Sequence, residues 1–135
     1  MEKTEVVPEK VAWVLVRDGR VLVTRNRGVD VFYFPGGKRE RGESDAETLA
    51  REITEELGSR IDTATMLHVG TFERRRDSDG CTEFRMICYT ADHTGPLIPS
   101  GEIAESDWFG YGDRARVSPV DKKVFDVLHS SGQLV

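Results

Sequence analysis

The chain has 135 residues, of which 38% are hydrophobic and 32% are charged, and its formal net charge at pH 7 is −5. This composition is typical of a soluble globular protein, so we predict a single domain over residues 1–135. The acidic balance lacks the basic surface that binding to duplex nucleic acid needs. The longest apolar run, residues 11–16, is far shorter than the roughly 20 residues that cross a bilayer, and residues 1–10 do not have the apolar core of a signal peptide. We therefore expect a cytoplasmic protein without a membrane partner.

The cysteines and histidines indicate neither a disulfide nor a metal site. Cys81 and Cys88 are an odd number of residues apart on what is predicted to be one strand, so regular pleating directs them to opposite faces and we expect two free thiols. His68, His93 and His129 are scattered without the spacing of metal ligands. Carboxylates remain as candidate ligands.

The first predicted elements form a hairpin, followed by a short aromatic strand. Apolar runs at residues 11–16 and 21–26 flank Asp18-Gly19, and an Asp-Gly pair between two such runs is a strong hairpin signal. Residues 31–37, VFYFPGG, are predicted to form a strand that Pro35 and two glycines end. Glycines at this point allow a ligand to approach the main chain.

A helix is predicted to begin just after Ser44 and to end near Gly58. Ser44 and Glu47 have the spacing of a capping box, and glycine is a common residue at the end of a helix. At about 100° per residue, one narrow stripe of this helix is apolar and should be buried. The stripe contains Ala46, Leu49, Ala50, Ile53 and Leu57.

Three glutamates, Glu52, Glu55 and Glu56, fall together on the flank of that stripe. Like charges at these spacings repel by about 0.2–0.5 kcal/mol per pair, and a solvated helix normally offsets the repulsion with interleaved lysines. This helix contains no lysine, and Arg51 is its only cation. The arrangement therefore indicates a bound divalent cation, and carboxylate oxygens suit Mg²⁺ or Mn²⁺.

The choice of metal implies a phosphorylated ligand. Mg²⁺ is typically held by one or two carboxylates together with substrate phosphates. Lys38 and Arg25 are the nearby candidates for binding phosphate oxygens. The glycine pair Gly36-Gly37, at the end of the aromatic strand, offers a backbone carbonyl to the same metal.

The second half of the chain is predicted to contain more strands and a last helix. Strands are expected at residues 66–75 and 82–91, and residues 108–111, WFGY, are one more candidate. The last helix begins at Ser118-Pro119, a cap followed by proline at the first helical position. Its apolar residues have helical spacing and should cover a sheet; they are Val120, Val124, Val127 and Leu128.

The residues around the acidic helix resemble the signature of the Nudix family. Gly37 is followed after five residues by Glu43, and after seven more by the run REITEELG from Arg51 to Gly58. Every charged and glycine position of the Nudix box is present. Ser59 departs from the aliphatic preference of the pattern, and Ile61 is the candidate for its packing role. The segments FPGGK before the box and EIAESDWFGY late in the chain extend the resemblance.

The resemblance implies an α/β fold, an α/β/α sandwich with a central mixed sheet in which the box forms a loop-helix-loop. It implies a hydrolase that acts on a nucleoside diphosphate linked to another group, with Mg²⁺ or Mn²⁺ as cofactor and a small nucleotide as partner. In this chain the implied metal ligands are the Gly36 carbonyl and the side chains of Glu52, Glu55 and Glu56.

The resemblance also implies roles for other residues of the box and for a base. Arg51 and Glu43 orient and support the acidic helix. The general base is either a box glutamate or a distant acid that a loop brings in. Glu102 and Glu105, which precede the late Trp108-Phe109 pair, are the distant candidates.

The substrate is less well defined. The chain is short, as in MutT-like members that hydrolyse nucleoside triphosphates to monophosphate and pyrophosphate. The proline or tyrosine that follows the box in members cleaving ADP-ribose or dinucleoside polyphosphates is absent, and Arg74, Arg75 and Arg76 stand there instead. We therefore predict a MutT-like nucleoside triphosphate pyrophosphohydrolase, with oxidised or non-standard nucleotides among its candidate substrates.

Three alternatives to this predicted function remain open. The first is a hydrolase of a nucleotide sugar, ADP-ribose or another diphosphate conjugate, which the same metal site serves equally well. A second alternative is a non-catalytic nucleotide-binding module that regulates a partner. A third is a structural acidic helix with Ca²⁺ or no ion. The choice between monomer and homodimer is also open.

Overall fold

A computed structural model describes residues 6–135. The first five residues, part of the stretch in which no signal peptide is predicted, lie outside the described residues. The described part contains two α-helices, α1 (Asp45–Leu57) and α2 (Pro119–Ser130), and two short 3-10 helices at Thr63–Thr65 and Tyr111–Arg116. None of these helices has the length and apolar composition that a membrane-spanning helix needs. The strands are β1 (Glu9–Trp13), β2 (Val16–Arg17), β3 (Arg20–Asn26), β4 (Gly36–Gly37), β5 (Arg60–Ile61), β6 (Leu67–Arg75), β7 (Thr82–Thr90), β8 (His93–Thr94) and β9 (Ile103–Phe109).

The strands form a mixed sheet, an antiparallel sheet and a small ribbon. The mixed sheet has the order β4-β1-β7-β6, and within it β1 and β7 run parallel while the other pairs are antiparallel. The second sheet has the order β2-β3-β9, and the ribbon pairs β5 with β8.

The two helices cover opposite sides of the sheets. Val11 and Trp13 of β1 belong to the apolar cluster that contains the buried stripe of α1, whereas Ala12 belongs to the cluster that contains Val124 and Leu128 of α2. Neighbouring residues of a strand point to opposite faces, so this alternation requires a helix on each side. The predicted α/β/α sandwich with a mixed sheet is confirmed.

The predicted hairpin is present between β2 and β3. Asp18 and Gly19 both have positive φ, 52° and 77°, as a two-residue turn matched to the twist of the strands requires. The expected single strand over residues 11–16 is wrong, because β1 ends at Trp13 in the mixed sheet and β2 begins at Val16 in the other sheet.

The aromatic segment is not the strand that the sequence predicts. Phe32 and Tyr33 make only isolated bridges, and regular pairing begins after Pro35, at Gly36–Gly37. Phe32 and Phe34 are buried in the core that α2 covers. Phe32 and Phe34 are therefore core residues, whereas Tyr33 between them is only half-buried.

Both predicted ends of α1 are confirmed. The Ser44 hydroxyl accepts from the Glu47 amide at 3.1 Å, the Glu47 carboxylate accepts from the Ser44 amide at 3.0 Å, and Gly58 ends the helix with a φ of 69°. The predicted stripe is only partly buried. Leu49, Ile53 and Leu57 are fully buried, Ala46 and Ala50 are intermediate, and Thr48 is buried in addition.

Other predictions for the second half of the chain need smaller corrections. Strand β9 begins at Ile103, earlier than the predicted WFGY segment. The prediction missed this start because polar residues alternate along the strand and hide its pattern. In α2, Val127 is exposed, and the Ser118 hydroxyl donates to Asp121 instead of capping the helix. The two cysteines are free thiols, as predicted.

Candidate functional site

A cleft of about 580 Å³ lies between the sheets and the start of α2. Its volume falls in the range of small-molecule sites. From the side of the box it is lined by Gly36, Gly37, Lys38, Glu52 and Glu56, together with Glu102. The strands contribute Lys10, Thr24, Asn26, Arg74, Phe84 and Met86, the segment before β4 contributes Val31, Tyr33 and Phe34, and the start of α2 contributes Ser118–Asp121.

Glu56 is the most deeply set carboxylate of the acidic helix. Its Oε1 accepts a hydrogen bond from the Gly36 amide at 2.8 Å. Burial raises the pKa of Glu56 to about 7, and the neighbouring charges of Glu52 and Glu102 act in the same direction, while Lys10 and the Gly36 amide lower it. The protein therefore offsets only a small part of the free-energy cost of ionising Glu56. A cation bound beside the carboxylate would stabilise its charged form.

Glu52 lies against the backbone of the glycine pair. Its Oε1 accepts from Arg51 Nη1 at 2.8 Å, and burial raises its pKa despite that partner. A Cβ added to Gly37 would lie 2.5 Å from Oε1 of Glu52, well inside contact distance. Position 37 must therefore be glycine for the carboxylate to occupy this place.

Arg51 joins the helix to the loop before it. Its Nε and Nη2 donate to the two oxygens of Glu43 at 2.8 and 2.9 Å, and Nη2 also donates to the Lys38 carbonyl at 3.1 Å. The hydrogen bonds from Arg51, followed by that from the Glu40 amide, lower the pKa of Glu43 to about 2. Glu43 is thus a permanent carboxylate that holds Arg51 in place.

Glu55 is placed differently from the other two glutamates. Its side chain is 60% exposed, lies 3.7 Å from Arg51 Nη1, and is not part of the cleft lining. Within residues 6–135, no three acidic, histidine or cysteine side chains are gathered closely enough to hold a metal ion. From α1, the cleft instead receives two carboxylates, Glu52 and Glu56, which lie beside the backbone of the glycine pair. This donor set fits Mg²⁺ or Mn²⁺ when substrate phosphates supply further oxygens.

Glu102 reaches the cleft through a loop that is tied to the end of α1. The Ile98 amide donates to the Leu57 carbonyl at 2.9 Å, and the Ser100 amide and hydroxyl donate to the Glu56 and Glu55 carbonyls at 2.8 and 2.6 Å. These bonds satisfy carbonyls that the last turn of a helix leaves free. The loop thereby delivers Glu102 to the wall that also contains Glu56.

Arg25 and Glu105, two other predicted site residues, bind each other instead. Arg25 Nε donates to Glu105 Oε1 at 2.7 Å, and Arg25 Nη1 donates to the Val29 carbonyl at 3.0 Å. Neither side chain lines the cleft. The neighbours of Arg25 in β3, Thr24 and Asn26, line the cleft, so the pleating of the strand directs Arg25 away from it.

Lys10 is a cleft residue that the sequence interpretation missed. It precedes the apolar run of β1, and its ammonium donates to the Phe34 carbonyl at 2.6 Å and lies 5.4 Å from the centre of the Tyr33 ring. Its charge lowers the pKa values of Glu52, Glu56 and Asp121. Lys10 is therefore a cation shared among the acids of the cleft.

Asp121 is the second residue that was missed. It is 1% exposed, its Oδ2 accepts from the Ser118 hydroxyl at 3.0 Å, and its Oδ1 has no hydrogen-bond partner among the described residues. Burial raises its pKa to about 6, against the effects of Lys10, of the Ser118 hydroxyl and of the nearby Phe34 backbone amide. The only signal in the sequence was an acid between Val120 and Val124, on the apolar stripe of the last helix. A buried carboxylate oxygen without a partner in a cleft is an acceptor for a ligand.

Comparison with protein families gives a match to the NUDIX domain over residues 8–128. A Bacillus subtilis (strain 168) relative, named uncharacterized Nudix hydrolase YvcI, is 29% identical over 118 residues, which are 85% of this chain and 75% of that protein. The mouse 8-oxo-dGDP phosphatase NUDT18 is 31% identical over 99 residues, 73% of this chain and 28% of that protein. A Leifsonia xyli isopentenyl-diphosphate Delta-isomerase is 39% identical over 102 residues, 67% and 55%. The chain thus spans less than two thirds of the latter two relatives.

Solved structures show the same arrangement. The E. coli ORF135 protein has a TM-score of 0.71 and 25% identity, with 93% of this chain and 92% of that chain covered. The MutT protein of Bacillus halodurans has a TM-score of 0.71 and 25% identity, with 91% and 83% covered. With the family match over most of its length, the chain belongs to the Nudix hydrolases, enzymes that hydrolyse phosphoric anhydrides and generally use divalent metal ions.

Proposed function

We propose that the protein is a Mg²⁺- or Mn²⁺-dependent, MutT-like nucleoside triphosphate pyrophosphohydrolase, with oxidised nucleotides among its substrates. The proposal rests mainly on one observation. The carboxylates of Glu52 and Glu56 lie in the same cleft as the backbone of Gly36-Gly37, and no side chain separates them from that backbone. The likeness to MutT and to a protein named 8-oxo-dGDP phosphatase supports the choice of substrate.

Glu52 and Glu56 are the proposed principal metal ligands, with Glu55 and the Gly36 carbonyl completing the set. Glu55 is exposed at the rim and has only a 3.7 Å contact with Arg51, so it needs only a change of side-chain rotamer to turn toward a ligand. When bound, the metal neutralises phosphate oxygens and lowers the pKa of bound water.

The protein's own groups position the acids and the substrate. Arg51, fixed by Glu43, keeps the Glu52 carboxylate against the glycine pair. Lys38 lines the cleft and is the proposed partner of phosphate oxygens. Glu102 faces the same wall as Glu56 and is the preferred candidate for the base that takes a proton from the attacking water. Glu105, which binds Arg25 outside the cleft, is the weaker candidate.

The α2 side of the cleft is suited to the group that the phosphates carry. The unpartnered Oδ1 of Asp121 accepts hydrogen bonds only, and the Lys10 ammonium donates only. Tyr33 and Phe84 add aromatic surface to the same cleft. Such a combination fits a planar nucleobase with ring N–H donors and oxygen or nitrogen acceptors on its edge.

The main alternative is hydrolysis of a nucleotide sugar, ADP-ribose or another diphosphate conjugate at the same acids. A non-catalytic nucleotide-binding module is less favoured, since all the box carboxylates are retained. Because one relative is named isopentenyl-diphosphate Delta-isomerase, isopentenyl diphosphate belongs among the compounds tested. We further propose that the protein acts in the cytoplasm on small nucleotides, as a monomer or a homodimer.

The proposal is tested by identifying, with chromatography and NMR spectroscopy, the products that the protein forms from a panel of compounds with Mg²⁺ and with Mn²⁺. The panel holds ribo-, deoxy- and oxidised nucleoside triphosphates and diphosphates, ADP-ribose, nucleotide sugars, dinucleoside polyphosphates and isopentenyl diphosphate. We expect metal-dependent release of pyrophosphate from a nucleoside triphosphate, which Glu56→Gln abolishes. The matched control is Glu40→Gln, since Glu40 is 70% exposed and lies outside the cleft lining.

Each other outcome changes the proposal in a defined way. Turnover confined to a conjugate keeps the metal site and replaces the substrate. Conversion of isopentenyl diphosphate alone rejects a hydrolase. No turnover, combined with stabilisation of the fold by a nucleotide, favours the binding module.

A further inference from the structure

We infer that Arg39 is a positioning residue whose guanidinium clamps the box loop, residues 38–44, to the central sheet and thereby directs Lys38 into the cleft. Only the last step, the contact between Lys38 and a substrate phosphate, rests on the proposed function. The clamp itself is a property of the folded chain and is testable without substrate.

Arg39 binds two carboxylates that belong to different elements. Its Nη1 donates to Oδ1 of Asp45, the first residue of α1, at 2.5 Å, and its Nη2 donates to Oε1 of Glu9, the first residue of β1. The three side chains are between 25% and 28% exposed, so the ion pairs are partly shielded from water. One guanidinium thus links the loop, the helix and the sheet.

Strand β7 holds the same two carboxylates from their other oxygens. Arg85 Nη1 donates to Oε2 of Glu9 at 3.0 Å, and the Tyr89 hydroxyl donates to Oδ2 of Asp45 at 2.6 Å. Neither carboxylate is able to turn away from Arg39 without losing a second bond. A connected network of this kind fixes geometry more firmly than an isolated surface pair does.

The rest of the box loop has little to hold it by packing. Lys38 and residues 40–42 are exposed, and this stretch contributes no buried apolar side chain. Segments with few buried apolar contacts open at low free-energy cost. The path of the loop therefore depends on its polar ties, of which, within residues 6–135, the Arg39 clamp is the one that reaches the sheet.

Lys38 lies between two fixed points. On one side, the Gly37 backbone is in contact with the Glu52 carboxylate; on the other side, Arg39 is held by the clamp. The Lys38 carbonyl accepts from Arg51 and so faces the helix. With both neighbours and the carbonyl fixed, the Lys38 side chain is directed to the cleft that it lines.

The first test is hydrogen exchange of the loop in the absence of any ligand. The reporters are the Glu40 and Glu43 amides, which donate to Glu43 Oε1 and to the Glu40 carbonyl. In Arg39→Ala we expect these amides to exchange at least about tenfold faster than in the wild type. Arg39→Lys keeps the charge but not the guanidinium that spans two carboxylates, so its exchange rates should lie between those of the wild type and those of Arg39→Ala. Arg41→Ala is the matched control, because Arg41 lies in the same loop, is exposed, and makes no side-chain hydrogen bond or ion pair among residues 6–135.

The second test asks whether Arg39 acts through Lys38. The probe is a nucleoside triphosphate with a methylene group between the α- and β-phosphorus, bound in the presence of Mn²⁺ and measured by calorimetry. We expect Arg39→Ala and Lys38→Met each to weaken binding by about tenfold, and the double variant to be no weaker than Lys38→Met alone, because residues that act as a unit are not additive.

Two results would overturn the inference. The clamp is rejected when the reporter amides exchange in Arg39→Ala and in Arg39→Lys as slowly as in Arg41→Ala. The link to Lys38 is rejected when the two losses of affinity multiply in the double variant. If the wild-type protein does not bind the probe, the proposed function fails for this nucleotide, and the exchange rates alone decide whether the clamp exists.

Discussion

The backbone of Gly37 lies directly against the carboxylate of Glu52, with no room for a side chain between them. Gly37→Ala should therefore displace Glu52 and lower kcat/KM by at least about 100-fold, corresponding to nearly 3 kcal/mol of transition-state stabilisation. The loss of Mn²⁺ affinity, measured by calorimetry, should accompany the loss of activity. Gly37 has no positive φ, so the expected effect comes from contact with Glu52 rather than from backbone strain.

The control for this substitution is Gly112→Ala. A Cβ at Gly112 would meet no atom within 4 Å, and its φ is not positive. We expect wild-type activity and metal affinity in this variant. Equal activity of Gly37→Ala and Gly112→Ala would show that Glu52 is not required at its present position.

Glu56 should make the metal-free protein less stable as the pH rises. Its pKa is about 7 in the folded state against an ordinary 4.5, so the folded protein retains a proton that the unfolded chain releases over this interval. Stability from this group is complete below pH 4.5 and is lost as the pH passes through 7, by at most about 3 kcal/mol. Urea unfolding in a chelator should show this decline in the wild type and a weaker one in Glu56→Gln.

Addition of Mn²⁺ should reverse that decline. A cation bound at Glu56 offsets the cost of its buried charge and stabilises the folded state by mass action. At a pH above 7, we expect Mn²⁺ to raise the urea concentration at the midpoint of unfolding far more for the wild type than for Glu56→Gln. Equal effects of Mn²⁺ on both proteins would argue against Glu56 as a ligand.

Glu43 should have the opposite pH dependence. Its pKa is lowered to about 2 by the hydrogen bonds from Arg51, so its contribution to stability is complete above pH 4.5 and is lost as the pH falls toward 2. Glu43→Gln should be less stable than the wild type at neutral pH, and this difference should shrink over that acid interval. Glu40→Gln, which removes only a 3.7 Å contact with Arg51, should follow the wild-type curve in urea unfolding.

The two distant acids should separate in kinetic experiments. Glu102→Gln removes the carboxylate in the cleft and should lower kcat by about 100-fold with little change in KM, the size of effect expected of a general base. Glu105→Gln breaks the ion pair with Arg25, which is worth less than about 1 kcal/mol because Glu105 is exposed and Arg25 is partly exposed. If kcat fell strongly in Glu105→Gln and not in Glu102→Gln, the general base would be Glu105.

Asp121 should determine how well the nucleobase binds. Asp121→Asn keeps the size of the side chain but replaces one acceptor oxygen by a donor, so we expect KM to rise by about tenfold with kcat nearly unchanged. The preference among bases should change at the same time. Asp107→Asn, at an exposed position of β9, is the control. An unchanged KM for every base would exclude Asp121 from recognition.

The local features of the fold were predictable because adjacent residues determine them. The Asp18-Gly19 turn and both ends of α1 follow from turn and cap chemistry within a few residues. Ile61, the candidate to replace the aliphatic residue missing at Ser59, is indeed buried with the stripe of α1. The aromatic segment and the start of β9 were wrong because partners distant in the sequence decide their pairing.

The candidate site was predictable on the α1 side and much less so elsewhere. The acidic flank of one helix is a local pattern, and the structure brings Glu52 and Glu56 into the cleft. Lys10 and Asp121 become neighbours of that cleft only when β1 and α2 pack together, which no spacing in the sequence reveals. The predicted single domain, the catalytic roles and the oligomeric state stay predictions.

The loop that closes the end of α1 is also the loop that carries Glu102. Ile98 and Ser100 complete the last turn of the helix, so any fraying of that turn releases the segment leading to Glu102. As the temperature rises, catalytic activity should therefore be lost while most of the circular dichroism signal of the protein is still present. Heat sensitivity of the reaction would thus report the melting of one helical turn, well before the molecule as a whole loses its shape.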